Sequence, residues 1–234
     1  MDRERYNEDG VGGMHLCTLV VNDGKHIGFT RGYHIEYWGG MSMHSYRFGF
    51  NTQAIKEAIG DNSSNAYGSG LKKDVKKFYG ATFGMAGRGE NIPRKENYCE
   101  IDPSTVDKYG IPVLKFNYYW SDEEVRQAKH VQDTFEEVIH NMGAVALEDK
   151  PGKENYGLEN PGIIIHEVGT TRMGNDSNNS VVNKFNQSHD VPNLFIMDGG
   201  PFVSQADKNP SWTILALAWR ATDYLIEELK KGNV

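Results

Sequence analysis

The chain has 234 residues, of which 38% are hydrophobic and 11% aromatic, with a formal net charge of −7. That length and composition suffice for one large domain or two small ones and exclude wholesale disorder. Both charge signs are spread along the chain without a polybasic run, which argues against nucleic acid or anionic lipid as partner, and no apolar stretch approaches bilayer-spanning length.

The first ten residues, MDRERYNEDG, are charged throughout and do not read as a signal peptide. Residues 15–50 mix glycine with aromatics, as in GFTRGYHIEYWGG, and read as short bent strands or lid-like loops. Residues 70–79, GLKKDVKKFY, have the spacing of a short amphipathic helix. Residues 80–90 and 97–102 read as strands on either side of the turn-like NIPRKEN, and residues 111–119, IPVLKFNYY, as a further strand.

A long helix follows. Ser121 is a suitable N-cap with Glu124 three residues on, which makes a capping box. Val125, Ala128, Val131, Phe135, Val138 and Met142 recur at helical spacing, and Gly143 ends the run. Residues 148–161 read as a surface loop, and GIIIH (162–166) as a buried strand or an extended approach to a site. NLFIMDGG (193–200) reads as a short apolar strand, and a final helix begins near Pro210 with Asn209 as its cap and ends at Gly232. Its apolar face is Ile214, Leu217, Ala218, Ala221, Leu225 and Leu229, with Arg220, Asp223, Glu227 and Lys230 largely opposite. Strands, a long helix, then strand, loop and helix predict a mixed α+β or α/β fold. Asp198–Gly200 and the start of the final helix are expected to face one crevice, since ligands bind at strand carboxyl ends and helix N-termini.

His166 ends the apolar run and opens HEVGTTRMG. Alone, such a histidine reads as a hydrogen-bonded turn or core residue; with Gly169, two threonine hydroxyls and Arg172 around it, a neutral imidazole can serve as a general base. Asn209 is an ordinary helix cap, or else part of a helix start that turns free N–H groups toward an anionic or electron-accepting ring. The remaining histidines lack ligand spacing with Cys or paired carboxylates, so zinc is not expected. Cys17 and Cys99 lie outside any C-x-x-C motif and are read either as a pair or as two free thiols, which leaves the compartment open between periplasm and cytoplasm. No G-x-G-x-x-G follows a strand anywhere.

HEVGTTRMG, NLFIMDGG and NPSWTILALAWRA, in this order and with SVVNKFN between them, resemble the C-terminal signature of the glucose–methanol–choline (GMC) flavin oxidoreductases. The segments from Cys99 to His130 and RGYHIEYWGG look like the bacterial sugar-oxidising branch, near glucoside 3-dehydrogenases, gluconate dehydrogenase large subunits and pyranose oxidases. The resemblance implies an antiparallel substrate domain with flanking helices over residues 1–160, and over 161–234 the closing strand–helix part of a Rossmann-like FAD domain. It implies FAD as cofactor, His166 as the base near flavin N5, and Asn209 as the residue that holds the substrate hydroxyl. It places Asp198 and Gly199 along the FAD pyrophosphate and ribityl chain, and Trp212 and Thr213 beside the flavin pyrimidine edge. The substrate is a sugar or glycoside hydroxyl oxidised to a ketone, or else choline, a sterol or an aryl alcohol. Electrons then leave to oxygen, a quinone or a cytochrome. The family's N-terminal glycine-rich fingerprint has no counterpart here. The expectation is therefore of a fragment completed by an N-terminal FAD-binding segment or small subunit, with a non-enzymatic binding subunit, decayed remnant or carbohydrate-binding module as the other readings. Tyr37, Trp38, Tyr118 and Trp120 suit either sugar stacking or a core.

Overall fold

In the computed structural model, the residues described are 18–20, 28–39, 52–63, 67–78, 83–147, 155–163 and 166–234. Cys17, His15, His26, His44 and residues 148–154 of the expected loop lie outside them, as does most of the 15–50 region. Among the described residues nine elements follow in order: β1 (Thr18–Val20), β2 (Tyr33–Gly39), α1 (Thr52–Ala58), α2 (Gly68–Phe78), β3 (Phe83–Gly89), β4 (Tyr98–Val106), β5 (Pro112–Asn117), α3 (Asp122–Asn141) and α4 (Ser211–Lys231). Helices with antiparallel strands make the α+β class expected from the sequence. The chain divides into two compact units, one of residues 1–88 and 125–157, the other of residues 89–124 and 158–234.

In the first unit, β1, β2 and β3 form a sheet in that order, with β1 and β2 antiparallel. Alternation along β2 sends Tyr33 and Ile35 to one face, where they join Phe29 and Val131 of α3 in a buried cluster flanked by Tyr37, Met85 and Phe135. The Tyr33 hydroxyl is satisfied inside that cluster by His130 Nδ1 at 2.7 Å and Thr134 Oγ1 at 2.9 Å. On the other face His34 and Glu36 are also buried, and Arg88 Nε donates to Glu36 Oε2 at 3.0 Å. Helix α1 has no counterpart in the sequence expectation. It packs Ile55 on Phe78 and Val75 of α2, and the buried Lys56 donates to Asp74 at 2.9 Å.

The second unit begins with a two-stranded ribbon. Cross-strand pairing puts Glu100 opposite Lys115 on one face, joined at 3.4 Å, and pairs Cys99 with Phe116 and Ile101 with Leu114 on the other. Cys99 is a free thiol. The capping box of α3 forms: Glu124 Oε2 accepts from Ser121 N at 2.7 Å, while Ser121 Oγ accepts from Glu123 N at 3.3 Å. Gly143, at φ 63°, ends α3 with Ala144 N bonded back to Ile139 O.

Two segments differ from expectation. GIIIH does not follow the first of its two readings, a buried strand, where it is described: Ile163 is 61% exposed and its N–H closes a turn on Asn160, while residues 164–165 lie outside the described residues. NLFIMDGG does not join a sheet. Its backbone pairs instead with the 186–188 loop, through the Gln187–Phe195 bridge and the Ile196 N to Asn186 O bond. The apolar content of 193–200 suits an extended chain, but a strand needs a neighbouring strand, and here loops take the backbone groups. Val182 and Asn186 are the fully buried centre of this loop-rich body.

Candidate active site

The three motifs meet in the second unit. A short ladder joins HEVGTTRMG to MDGGP: Gly169 N to Gly199 O at 3.2 Å, Thr171 N to Gly200 O at 3.1 Å, and Met173 N to Pro201 O at 2.9 Å. Glycine is required where the two segments touch. A Cβ on Gly199 would stand 2.9 Å from Val168 Cγ1 and 3.6 Å from Ile214 Cδ1, and one on Gly200 would overlap Thr171 Oγ1. Ile214 belongs to the first turn of α4, so Gly199 is where all three motifs touch. Asp198 Oδ1 accepts from Gly200 N at 2.7 Å and fixes the turn. Thr171 Oγ1 is buried within this junction without a partner among the described residues.

His166 sits at the entrance to the ladder, half-buried, with φ 87°. A left-handed backbone at a side-chain-bearing residue costs about 1–3 kcal/mol and persists where the surroundings impose it. No hydrogen bond fixes the imidazole among the described residues, nor joins it to Asn209. Arg172 does not point its guanidinium into the junction's bonding; its Nε donates to Asn179 O at 2.8 Å and braces the 175–180 loop.

The N-terminus of α4 corrects the sequence expectation. Pro210, at φ −83°, is the cap residue, and no side chain caps the helix; Asn209 is exposed one residue earlier. Proline lacks an N–H and its carbonyl already accepts from Ile214 N at 2.9 Å, so it fills the position in backbone terms alone. Trp212 and Thr213, expected beside a cofactor, are both exposed on the first turn. The helix docks inward through the buried Ala221 and through Tyr224, stacked on Phe185 at 4.0 Å and 3°. Its outer face carries Trp212, Leu215, Trp219, Ile226 and Leu229, all exposed. Gly232, at φ 75°, ends it as expected.

The second unit also holds a polar cluster around Tyr118 and Trp120, of which Asn91 and Gln205 are absent from the sequence expectation. Asn91 pairs with Gln205 in an antiparallel bridge, and Asn91 Nδ2 donates to Tyr118 Oη. Tyr118 is 38% exposed, and partial loss of water at its hydroxyl raises the phenol to about 12; Glu124 pushes the same way, Arg94 opposes, and Glu167, the residue after His166, adds to the rise. Trp120 meets Tyr118 edge-on at 5.2 Å and donates its indole N–H to Glu159 O at 2.9 Å. Tyr118 and Trp120 are visible as aromatics in the sequence; the Asn91–Tyr118 bond and the Asn91–Gln205 bridge leave no local signal. Among the described residues no group of three or more His, Cys, Asp or Glu is placed to hold a metal ion, and no helix is long and apolar enough to cross a membrane.

The family model described as GMC oxidoreductase matches residues 93–218, which take in the whole junction. The 2-methyl-1,2-propanediol dehydrogenase of Mycolicibacterium austroafricanum is 35% identical over 93% of this chain and 37% of its own length. The gluconate 2-dehydrogenase flavoprotein of Pantoea cypripedii is 27% identical over 71% of this chain and 27% of its own. The fructose dehydrogenase large subunit of Gluconobacter japonicus is 26% identical over 80% and 33% respectively. The chain spans about a third of the length of these relatives.

Proposed function

The chain belongs to the GMC oxidoreductase family, and on that premise we propose that it forms part of an FAD-dependent enzyme that oxidises a sugar or glycoside hydroxyl to a ketone, with His166 as base. Residues 1–160 mainly bind substrate in this reading, and residues 161–234 complete the flavin site. The observation that carries it is the Gly199 junction, where the ladder from the His166 loop and the first turn of α4 meet.

The donor set fits a flavin dinucleotide. Asp198 presents an exposed carboxylate suited to ribityl hydroxyls. The first turn of α4 has no side-chain cap, so its N–H groups and positive dipole end remain for a group that becomes anionic on reduction. Bound FAD supplies the acceptor for the hydride that leaves carbon. The chain's own residues handle the rest. In this reading His166 takes the hydroxyl proton and Asn209 holds the hydroxyl oxygen. The outer apolar face of α4 is the surface that an N-terminal FAD-binding segment or small subunit covers. Oxygen, a quinone or a cytochrome takes the electrons afterwards.

Two relatives are named for sugar acids or sugars, which supports the sugar reading. One specific observation favours a second: the 35% identical relative is named for a small branched diol, so a non-sugar alcohol is the alternative substrate. Choline, sterols and aryl alcohols belong to the same alternative. The test is His166→Ala in the complete protein, with anaerobic flavin reduction followed by stopped flow across sugars and diols. Loss of a general base predicts a fall of about 10²–10⁴-fold in the reduction rate. Unchanged rates remove His166 from the role. Adding FAD to the purified chain and recording a bound-flavin spectrum separates a cofactor-holding unit from a binding subunit or remnant.

A further inference from the structure

We propose that Asn91, Tyr118 and Gln205 form a subsite for a second substrate hydroxyl, one beside the hydroxyl that is oxidised, so that the enzyme selects vicinal diols over lone alcohols. The inference rests on the alcohol-oxidation reading above and adds the residues that choose among alcohols.

The geometry comes from one bridge and three hydrogen bonds. Asn91 and Gln205 lie directly opposite in an antiparallel pair, which puts their side chains on one side with Cβ atoms about 4.5–5.5 Å apart. Asn91 Nδ2 donates to Tyr118 Oη, which leaves the Tyr118 proton to be donated and Asn91 Oδ1 to accept. Gln205 Nε2 is held by Lys208 O at 3.1 Å, and its Oε1 is buried with no partner among the described residues. Trp120, locked by Glu159 O, fixes the phenol plane from the side. The Tyr118 phenol is raised to about 12, so it stays a neutral donor across the physiological range.

The Tyr118 O–H and the second Asn91 Nδ2 proton donate and Gln205 Oε1 accepts, which complements an alcohol hydroxyl that accepts twice and donates once. The first hydroxyl is already spoken for by His166 and Asn209. Two links run from the cluster toward these residues: the charge of Glu167, next to His166, acts on Tyr118, and Gln205 lies four residues before Asn209 in the chain. A buried amide oxygen left unpaired is costly, and a substrate hydroxyl that satisfies it gains what a deoxy analogue forfeits.

The experiment uses the complete flavin-loaded protein and matched alcohols: propane-1,2-diol against propan-2-ol, and a methyl pyranoside against its monodeoxy analogues. The wild type is expected to favour each diol over its lone-alcohol partner in the kcat/KM for flavin reduction by about 10-fold or more. Tyr118→Phe, and independently Gln205→Met from a different segment, are expected to collapse that ratio by about 10-fold through KM. Bound-flavin content and melting temperature establish that each variant is folded. Equal handling of diols and lone alcohols by the wild type overturns the proposal, as does an unchanged ratio in both folded variants. If no alcohol reduces the flavin, the oxidation reading fails by itself. Calorimetry with the same compounds then still decides the subsite: diol binding that Tyr118→Phe weakens supports it, and no diol binding overturns it.

Discussion

Replacing Gly200 by alanine tests the junction directly. Gly200 is buried and its φ lies outside the left-handed region, so the backbone itself would accept alanine; only the space refuses it. The new Cβ would overlap Thr171 Oγ1 and approach Asp198 Oδ1 to 2.9 Å. Thr171 is β-branched and stiff at χ1, so it cannot simply swing aside. Either its rotamer is forced, at about 1–3 kcal/mol of overpacking, or the segments part and the Thr171 N to Gly200 O bond is lost, at about 1 kcal/mol. Alanine lowers the entropy of the unfolded chain and returns about 0.4–1 kcal/mol. The net expectation is a loss of up to about 2.5 kcal/mol in urea melts followed by far-UV circular dichroism. Thr171→Ala removes the atom in the way, and with it a buried hydroxyl that has no partner. The double variant is therefore expected to regain most of the loss, with a coupling energy of at least about 1 kcal/mol. Additivity of the two changes to within about 0.5 kcal/mol would refute the steric account.

Glu124→Ala is expected to cost about 2–4 kcal/mol, because the buried carboxylate caps α3 through Ser121 N and also accepts from Ile92 N at 3.2 Å. Urea melts measure the loss, and hydrogen exchange should quicken at the Ser121 and Ile92 amides. The raised Tyr118 phenol sets a pH dependence. The unfolded chain releases that proton near pH 10, while the fold holds it to about 12, so this contribution is complete below about pH 10 and lost as pH rises toward 12. Urea midpoints across that window are expected to fall in the wild type and to fall less steeply in Tyr118→Phe.

Local signals were the legible ones. Ser121 with Glu124, and glycines at 143 and 232, specify helix ends through bonds within a few residues, and the structure has them. Helix α1 was missed because its stretch is short and follows a glycine–aromatic run; Gly60 at φ 72°, closing the helix through Asp61 N to Lys56 O, was its usable signal. Apolar runs misled where burial depends on distant partners, as at Ile163 and in residues 193–200. Residue preference favours Asn209 as the cap, yet Pro210 holds that position. At the site, motif order brought out His166, Asp198, Gly199 and Asn209. The orphaned Thr171 hydroxyl and the Asn91–Gln205 bridge depend on pairings between remote segments, which no window along the chain contains.

The outer face of α4 gives the molecule an optical property. Trp212 is 84% exposed and Trp219 74%. Indoles so open to water emit at long wavelength and are readily reached by soluble quenchers. Any surface that settles on this helix shifts their emission to the blue and shields them, so the helix reports its own coverage without a label.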